Sequence, residues 1–247
     1  MLGVLLNSAA IVLGSLIGIL FSKKLSKKIE DVITLGSGIV TIVLGLQMAL
    51  KYESVVYFSL ALILGGITGT ALDLDGKFLL LGKMVERIFY RKKENENNLL
   101  TSPSGEKDRF ARAFLNASVI FCVGAMGIIG SIKAGIDKDP SILFTKSILD
   151  GFLSVSFAAA MGIGTAFSAF IIFIYEGLLT LLSTFLQPFC TEQMINELTG
   201  CGGAMVVMIG INLAGIKEIK SANFLPGILF TVIFVLLDPL IKGCFNF

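Results

Sequence analysis

Two acidic residues and one lysine lie within otherwise apolar stretches of this 247-residue chain. Lys146 and Asp150 belong to the segment TKSILDGFLSVSF, and Glu176 belongs to the segment FIIFIYEGLLTLL. An ionised side chain at the centre of a bilayer costs about 2.5–3.5 kcal/mol even on the lenient insertion scale, and such residues usually mark functional sites. Because Lys146 precedes Asp150 by four residues, we expect the two side chains to form an ion pair on one helix face. These three residues are the first candidates for binding a charged or polar solute.

The helix that carries Asp150 also has a polar stripe. Ser147 precedes Asp150 by three residues and Ser154 follows it by four, and this helical spacing favours a helix that lines a cavity. In the alternative interpretation, Lys146 extends to the membrane surface and Asp150 merely neutralises it. Glu176 has no basic residue within one helical turn, so it must be protonated, face water or pair with another helix.

Composition places the chain in a membrane. Hydrophobic residues make up 55% of it, charged residues make up 15%, and the mean hydropathy is +0.87. Soluble domains carry about 25% charged residues, so this chain could not cover a water-facing surface. Apolar runs of roughly 20 residues, the length needed to cross a hydrocarbon core, recur along it. We predict eight helical spans, at residues 2–22, 29–50, 55–75, 113–135, 141–161, 163–187, 192–216 and 222–244.

The lysines and arginines predict an orientation. They concentrate after the first span, between the third and fourth spans, and between the seventh and eighth spans. With eight spans these three segments lie on one side, which the positive-inside rule makes cytoplasmic, and both termini are external. Residues 76–112, the longest of the three, are predicted to form a basic cytoplasmic linker.

An internal repeat is predicted by two stretches that align without a gap. Residues 26–51 and 191–216 each have a polar start followed by a glycine-punctuated apolar helix. The matched pairs are Thr34 with Thr199, Gly38 with Gly203, Gly45 with Gly210, Gln47 with Asn212 and Ala49 with Ala214. Spans one to three start outside and spans six to eight start inside, so the repeat is inverted, as is typical of transporters. We therefore predict a first repeat at 1–75, a central pair of polar and glycine-rich helices at 113–162, and a second repeat at 163–247.

The repeat also relates two carboxamides. Gln47 and Asn212 occupy matching positions in the two copies. Taken singly, each is more simply explained as a contact between helices. Taken together, they are predicted to lie near one central binding site.

Glycines cluster inside the predicted spans. Gly124, Gly127 and Gly130 recur at every third residue, and Gly202 is adjacent to Gly203. One interpretation is close helix packing, since glycine lets two backbones approach each other. The other is that the fourth and seventh helices are broken here, which would free backbone groups to coordinate an ion or polar solute.

Several chemistries have no residues to carry them. The chain has no histidine, and its four cysteines lack metal-ligand spacing. No phosphate loop, nucleophile elbow or metalloprotease helix is found in the sequence. We therefore expect neither an enzyme nor an ATP-driven pump, and neither a metal nor another cofactor. The expected partners are the lipid bilayer and a small molecule or ion, not nucleic acid, and the small size is compatible with a homodimer.

Several segments resemble the YqgA-like bacterial inner-membrane proteins, domain-of-unknown-function family 554. These segments are CVGAMGIIGSI, KSILDGFLSVSFAAAMGIG, EGLLTLLSTFLQP, GGAMVVMIGINLAGIK and ANFLPGIL. The resemblance implies a multi-pass protein of the bacterial inner membrane, proposed to be a transporter without an established substrate.

Together these observations predict an all-α integral membrane protein with about eight transmembrane helices. Two inverted three-helix repeats would flank a central polar helix pair. The predicted function is secondary transport of a small polar or charged solute by alternating access, with Na⁺ or H⁺ as the candidate coupling ion and Asp150 as its carrier. The alternatives are a passive pore formed by a homo-oligomer and a membrane scaffold that transports nothing. A cavity closed at one end would favour the transporter, a continuous wet path the pore, and a dry, packed stripe the scaffold.

Overall fold

The computed structural model describes residues 1–22, 26–78, 80, 84 and 104–245, with the side chains of Glu30, 104–109 and 240–245 left out. These residues form helices and short connections, as the sequence predicts, and no strand occurs among them. A helical turn at 74–78 follows the third helix. The helices are α1 (Leu2–Ser22), α2 (Lys27–Ala49), α3 (Val55–Ala71), α4 (Ser104–Cys122), α5 (Ala125–Ile136), α6 (Ser141–Met161), α7 (Gly164–Leu181), α8 (Ser183–Leu186), α9 (Glu192–Leu213) and α10 (Pro226–Phe245).

Within the described ranges, six helical segments are long and apolar enough to cross a membrane. They are α1, α2, α6, α7, α9 and the segment Ser221–Pro239 that leads into α10. Helices α4 and α5 pass the same test together, as a pair bent by 63°, which raises the count to seven. The predicted count of eight therefore depends on α3, an apolar helix of only 17 residues.

Helix α4 begins earlier than the fourth span was predicted to begin. Residues 104–112, assigned above to the linker 76–112, belong to α4, and residues 79, 81–83 and 85–103 of that linker lie outside the described part of the chain. Phe110 and Ala111 are already buried, at 5% and 0% exposure. The buried face of α4 thus starts before residue 113, but the charged residues within 104–112 lower the mean hydropathy of this stretch, so hydropathy alone does not assign it to the span.

Helices α2 and α9 pack against each other in one antiparallel register. A β-carbon added to Gly38 or to Gly45 would lie 2.6 Å from a backbone nitrogen of α9. Glycine therefore permits the close approach of the two backbones. The facing pairs are Gly38 with Ala214, Ile42 with Gly210, Gly45 with Val207 and Ala49 with Gly203.

The predicted break at Gly202 and Gly203 is wrong, because α9 runs through both residues without interruption. Both glycines serve packing instead. Gly203 faces the backbone of Met48 and Ala49, and Gly202 faces the side chain of Val123.

Other helix pairs complete the bundle around a largely apolar core. Helix α1 runs parallel to α6 and α3 runs antiparallel to α10, again through close glycine contacts. The contacts are Gly3 with Leu143, Gly14 with Gly151 and Gly18 with Val155 in the first pair, and Gly65 with Gly227 in the second, with Gly69 meeting Asn223 just before α10 begins. The fully buried large side chains include Ile11, Phe121, Phe157, Ile172 and Met205.

We expect Gly38→Val to destabilise the protein, because the new side chain would meet the α9 backbone at Ala214. Overpacking of this kind typically costs about 1–3 kcal/mol. Gly36→Val is the matched control, since Gly36 lies in the same helix, is exposed and has no atom within 4 Å of an added β-carbon. Unfolding midpoints in detergent measure both effects, and equal midpoints for the two variants would contradict the packing described here.

Candidate functional site

Four polar side chains from three helices meet in the middle of the bundle and form what we name the central cluster. They are Asn7 of α1, Lys146 and Asp150 of α6, and Glu176 of α7. Asn7 and Glu176 are fully buried, and Lys146 and Asp150 are each only 6% exposed. The structure thus brings together the three charged residues selected from the sequence and adds Asn7.

Lys146 points into the cluster, so the alternative in which it extends to the membrane surface is wrong. Its ammonium group donates to the carboxylate of Asp150 and to the backbone carbonyl of Phe121, the latter at 3.0 Å. Its Nζ also lies 3.6 Å from Oε1 of Glu176. The ammonium is therefore surrounded by oxygens that come from α4, α6 and α7.

The Phe121 carbonyl is available because the fourth span is broken beside it. Helix α4 ends at Cys122 and α5 starts at Ala125. Between them Gly124 has a φ of 140°, a conformation that residues with a β-carbon rarely adopt. The last carbonyls of a helix have no partner within that helix, so one of them can accept from Lys146. The interruption that the glycine run at Gly124 predicts is present in the structure.

Asn7 connects the two carboxylates. Its Nδ2 donates to Oε1 of Glu176 at 2.8 Å and to Oδ2 of Asp150 at 3.2 Å. Two oxygens of the cluster, Oδ1 of Asn7 and Oε2 of Glu176, are buried without a hydrogen-bond partner. Sequence analysis missed this role of Asn7, although it is the one carboxamide of an otherwise apolar span.

The central cluster holds one more carboxyl group than ammonium group. If both carboxyl groups are ionised, the cluster carries an uncompensated negative charge, which is unfavourable away from water. A proton on one carboxyl group or a bound cation would remove that charge. Binding of one proton or one monovalent cation is therefore the change that this arrangement of charges favours. No group of three or more metal-ligating side chains that could hold a metal ion occurs in the described part of the chain.

Three other residues of the predicted site lie on α5 and α6, and they are Gly127, Ser147 and Ser154. Gly127 lies beside it, because a β-carbon added there would be 3.4 Å from Cε of Lys146 and 3.9 Å from Oε1 of Glu176. Ser147 and Ser154 are buried, but their hydroxyl groups donate to backbone carbonyls of α6 itself, both at 2.7 Å. Both hydroxyl groups are therefore bonded within α6, and Ser147 also lines an open groove between α1 and α6 that is walled mainly by apolar side chains.

Gln47 and Asn212 do not meet, so the prediction that both lie near one central site is wrong. Gln47 is exposed on α2. Asn212 instead closes the loop after α9, since its side chain bonds the backbone nitrogen and carbonyl of Ile219, both at 2.7 Å. In the α2–α9 register Gln47 lies between Gly45 and Ala49, which separates it from Asn212 by roughly 10 Å along the bundle.

A cavity of about 500 Å³ opens at the end of the bundle where α9 ends, which we name the basic end. Arg112 and Glu218 form an ion pair of 2.6 Å at this cavity. The polar and charged residues that line it are Asp75, Arg112, Asn116, Asn212, Lys217, Glu218 and Ser221.

Apolar side chains separate this cavity from the central cluster. Ala160 of α6 lines the cavity, and Asp150 lies ten residues earlier in the same helix, about 15 Å away. Phe157 occupies the interval on α6 and packs against Phe121 of α4, with ring centroids 5.9 Å apart. Both rings are 1% exposed, so the cavity is closed on the side of the cluster.

Comparison with known proteins identifies relatives along nearly the whole chain. A family model described as "Protein of unknown function (DUF554)" matches residues 2–236. The "Uncharacterized membrane protein YdfK" of Bacillus subtilis (strain 168) is 27% identical over 242 residues, which are 96% of this chain and 97% of the relative. The "Uncharacterized protein YqgA" of Escherichia coli (strain K12) is 27% identical over 228 residues, which are 92% of this chain and 93% of the relative. No solved structure matches significantly.

We expect Asn7→Ala to destabilise the protein by about 1.5–3 kcal/mol, the usual contribution of a hydrogen bond to a charged group. The loss should be smaller when Glu176→Gln is already present, because one of the two charged acceptors of Asn7 is then gone. Unfolding of the two single variants and the double variant measures this coupling. Asn116→Ala, at the cavity, serves as the control and should be additive with Glu176→Gln. Additivity of Asn7→Ala with Glu176→Gln within about 0.5 kcal/mol would refute the shared bond.

Proposed function

The chain belongs to the DUF554 family of proteins of unknown function, and we propose that this membrane protein is a secondary transporter of a small polar or charged solute. In this proposal a proton or Na⁺ binds at the central cluster and couples solute movement to an ion gradient. The observation that carries the proposal is the composition of the cluster. It combines a surplus carboxyl group, two buried oxygens without partners and an adjacent helix break, and transporters typically bind their substrates at such discontinuous helices.

The contacts between α2 and α9 support two inverted repeats. If each residue of a contact is replaced by its aligned counterpart in the other repeat, the result is another contact of the same interface, with α2 and α9 exchanged. Reciprocal contacts of this kind are typical of a two-fold interface. The counterpart contacts are Gly38–Ala214 with Gly203–Ala49, and Ile42–Gly210 with Gly45–Val207. We therefore propose a pseudo-two-fold axis that crosses the α2–α9 pair near Leu44 and Ile209.

The closed cavity supports a transporter over the alternatives. A passive pore needs a continuous wet path, whereas Phe121 and Phe157 pack between the cavity and the cluster. A scaffold has no use for buried oxygens without partners, because each such atom costs stability. Alternating access would expose the cluster to one side of the membrane at a time.

We further propose that the basic end faces the cytoplasm and that the protein lies in the inner membrane. The cavity at this end is lined by Arg112 and Lys217, and the positive-inside rule places such residues in the cytoplasm. With α3 as a span, the helices number eight and both termini are external.

Alkaline phosphatase fusions in Escherichia coli test whether α3 crosses the membrane. We expect activity from a fusion truncated after Glu53 and from a fusion to the full chain, and no activity from a fusion truncated after Asn98. Equal activity after Glu53 and after Asn98 would show that α3 does not span, and the inverted three-helix repeats would then be untenable.

Asp150→Asn should abolish transport while leaving the protein folded. Proteoliposomes would be screened for uptake of small ions, amino acids, nucleobases and polyamines, with and without an imposed Na⁺ or pH gradient. Wild type is expected to show saturable, gradient-dependent uptake of one class, and Asp150→Asn is expected to match empty liposomes. Asp139→Asn is the control, since Asp139 lies in the α5–α6 connection and pairs with the half-exposed Lys133 at 3.2 Å. Uptake that neither saturates nor needs a gradient would instead support the pore, and wild-type uptake in Asp150→Asn would remove this aspartate from the site.

A further inference from the structure

The central cluster already holds an ammonium group in a set of oxygens that we name the ammonium cage. The cage consists of the carbonyl oxygen of Phe121, the carboxylate of Asp150 and the carboxylate of Glu176. A primary ammonium group has three N–H donors and no acceptor. Three oxygens from three different helices match that number, and each is contacted by the same nitrogen of Lys146.

We propose that the ammonium cage binds the primary ammonium group of the transported solute, and that Lys146 is a tethered competitor for it. The proposal rests on the transport function proposed above and names the class of substrate, a small primary amine. Lys146 fills the cage when no solute is present. A solute ammonium takes over the same oxygens when the cluster opens to one side of the membrane.

The charge of the cluster favours such a second cation. Lys146 neutralises only one of the two carboxyl groups, so the cluster still attracts a solute cation while Lys146 is in place. Buried charges are tolerated when each is paired and hydrogen-bonded. A solute cation with N–H groups can therefore enter the cluster and replace Lys146 at the shared oxygens.

Hydrogen bonding gives an independent argument. Oδ1 of Asn7 and Oε2 of Glu176 are buried acceptors that Lys146 does not reach. In a closed structural ion pair such oxygens would be expected to have partners, because a buried polar atom without one is costly. A solute that brings further N–H donors would supply them.

Gly127 leaves space beside the cage. Its missing β-carbon would contact the Cε atom of Lys146 and Oε1 of Glu176 at ordinary van der Waals distances, 3.4 and 3.9 Å. A methyl group therefore fits at this position without displacing either side chain. The carbon that carries a solute ammonium needs space of this size.

Chemical rescue of Lys146→Ala tests the proposal, with methylammonium as the probe. Melting temperatures of the purified variant in detergent would be measured while methylammonium chloride replaces tetramethylammonium chloride at constant ionic strength. Tetramethylammonium is the matched cation without N–H donors. We expect a saturable rise in the melting temperature of Lys146→Ala with methylammonium, because a ligand that binds the folded state stabilises it. Wild type should respond less, since its own lysine competes, and Lys133→Ala should respond no more than wild type.

The result that overturns the proposal is a folded Lys146→Ala protein whose melting temperature is the same in both cations. If that variant does not fold, Lys146→Ala combined with Glu176→Gln restores the formal charge of the wild-type cluster and keeps the oxygens of Asp150 and Phe121. The same saturable response is expected from this double variant, and its absence also overturns the proposal. Rescue without any uptake by wild-type proteoliposomes would retain the cage and refute transport. Uptake that depends on Asp150, without rescue, would retain transport and refute the cage.

Discussion

A lysine ammonium held away from water determines how the middle of this bundle is arranged. Removing such an ion from water costs several kcal/mol, and only close, well-oriented oxygens offset that cost. Lys146 obtains them from Asp150 on its own helix, from Glu176 on α7 and from the Phe121 carbonyl at the end of α4. Asn7 then holds the two carboxylates together from α1. Four helices, α1, α4, α6 and α7, are thereby fixed relative to one another.

The helix break between α4 and α5 supplies one of the oxygens that bind Lys146. An uninterrupted helix uses its carbonyls internally, so the Phe121 oxygen can bind Lys146 only because α4 stops there. The bend between α4 and α5 packs against α9, where Gly202 leaves room for the side chain of Val123. Glycines in two spans thus have complementary roles. Gly124 allows the chain to turn, and Gly202 allows a continuous neighbouring helix to receive the turn.

The predictions that succeed depend on local features of the chain. The Lys146–Asp150 pair follows from four-residue spacing on one helix, and the break at Gly124 follows from a dense run of glycines. Asn7 could not be assigned in this way, because its partners are 143 and 169 residues away and a single amide in an apolar span also fits a simple helix contact. Gln47 and Asn212 show a different limit. A repeat alignment relates two positions by symmetry, but it does not say how far each lies from the axis.

The same reasoning explains the error on the glycine pair and the bonding of the serines. Adjacent glycines such as Gly202 and Gly203 permit either a break or a close approach, and only the neighbouring helix decides between them. Likewise, a serine such as Ser154 can face water or donate to a backbone carbonyl of its own helix. The sequence alone does not distinguish these two arrangements. A single sequence therefore does not predict those features of the site that depend on which helix packs beside it.

The short third helix has a consequence for the surrounding lipid. Seventeen helical residues extend about 25 Å, less than the roughly 30 Å of a typical hydrocarbon core. Beyond its end, Asp73 adopts a positive φ of 46°, so the helix does not continue straight into the next turn. Ile63 and Ile67, at 58% and 61% exposure, face outward on this helix. If α3 spans the membrane, the hydrophobic mismatch must be met by local thinning of the lipid around it, at a cost of a fraction of a kcal/mol per Å. The bilayer would then be most easily deformed on the side of the molecule that α3 occupies.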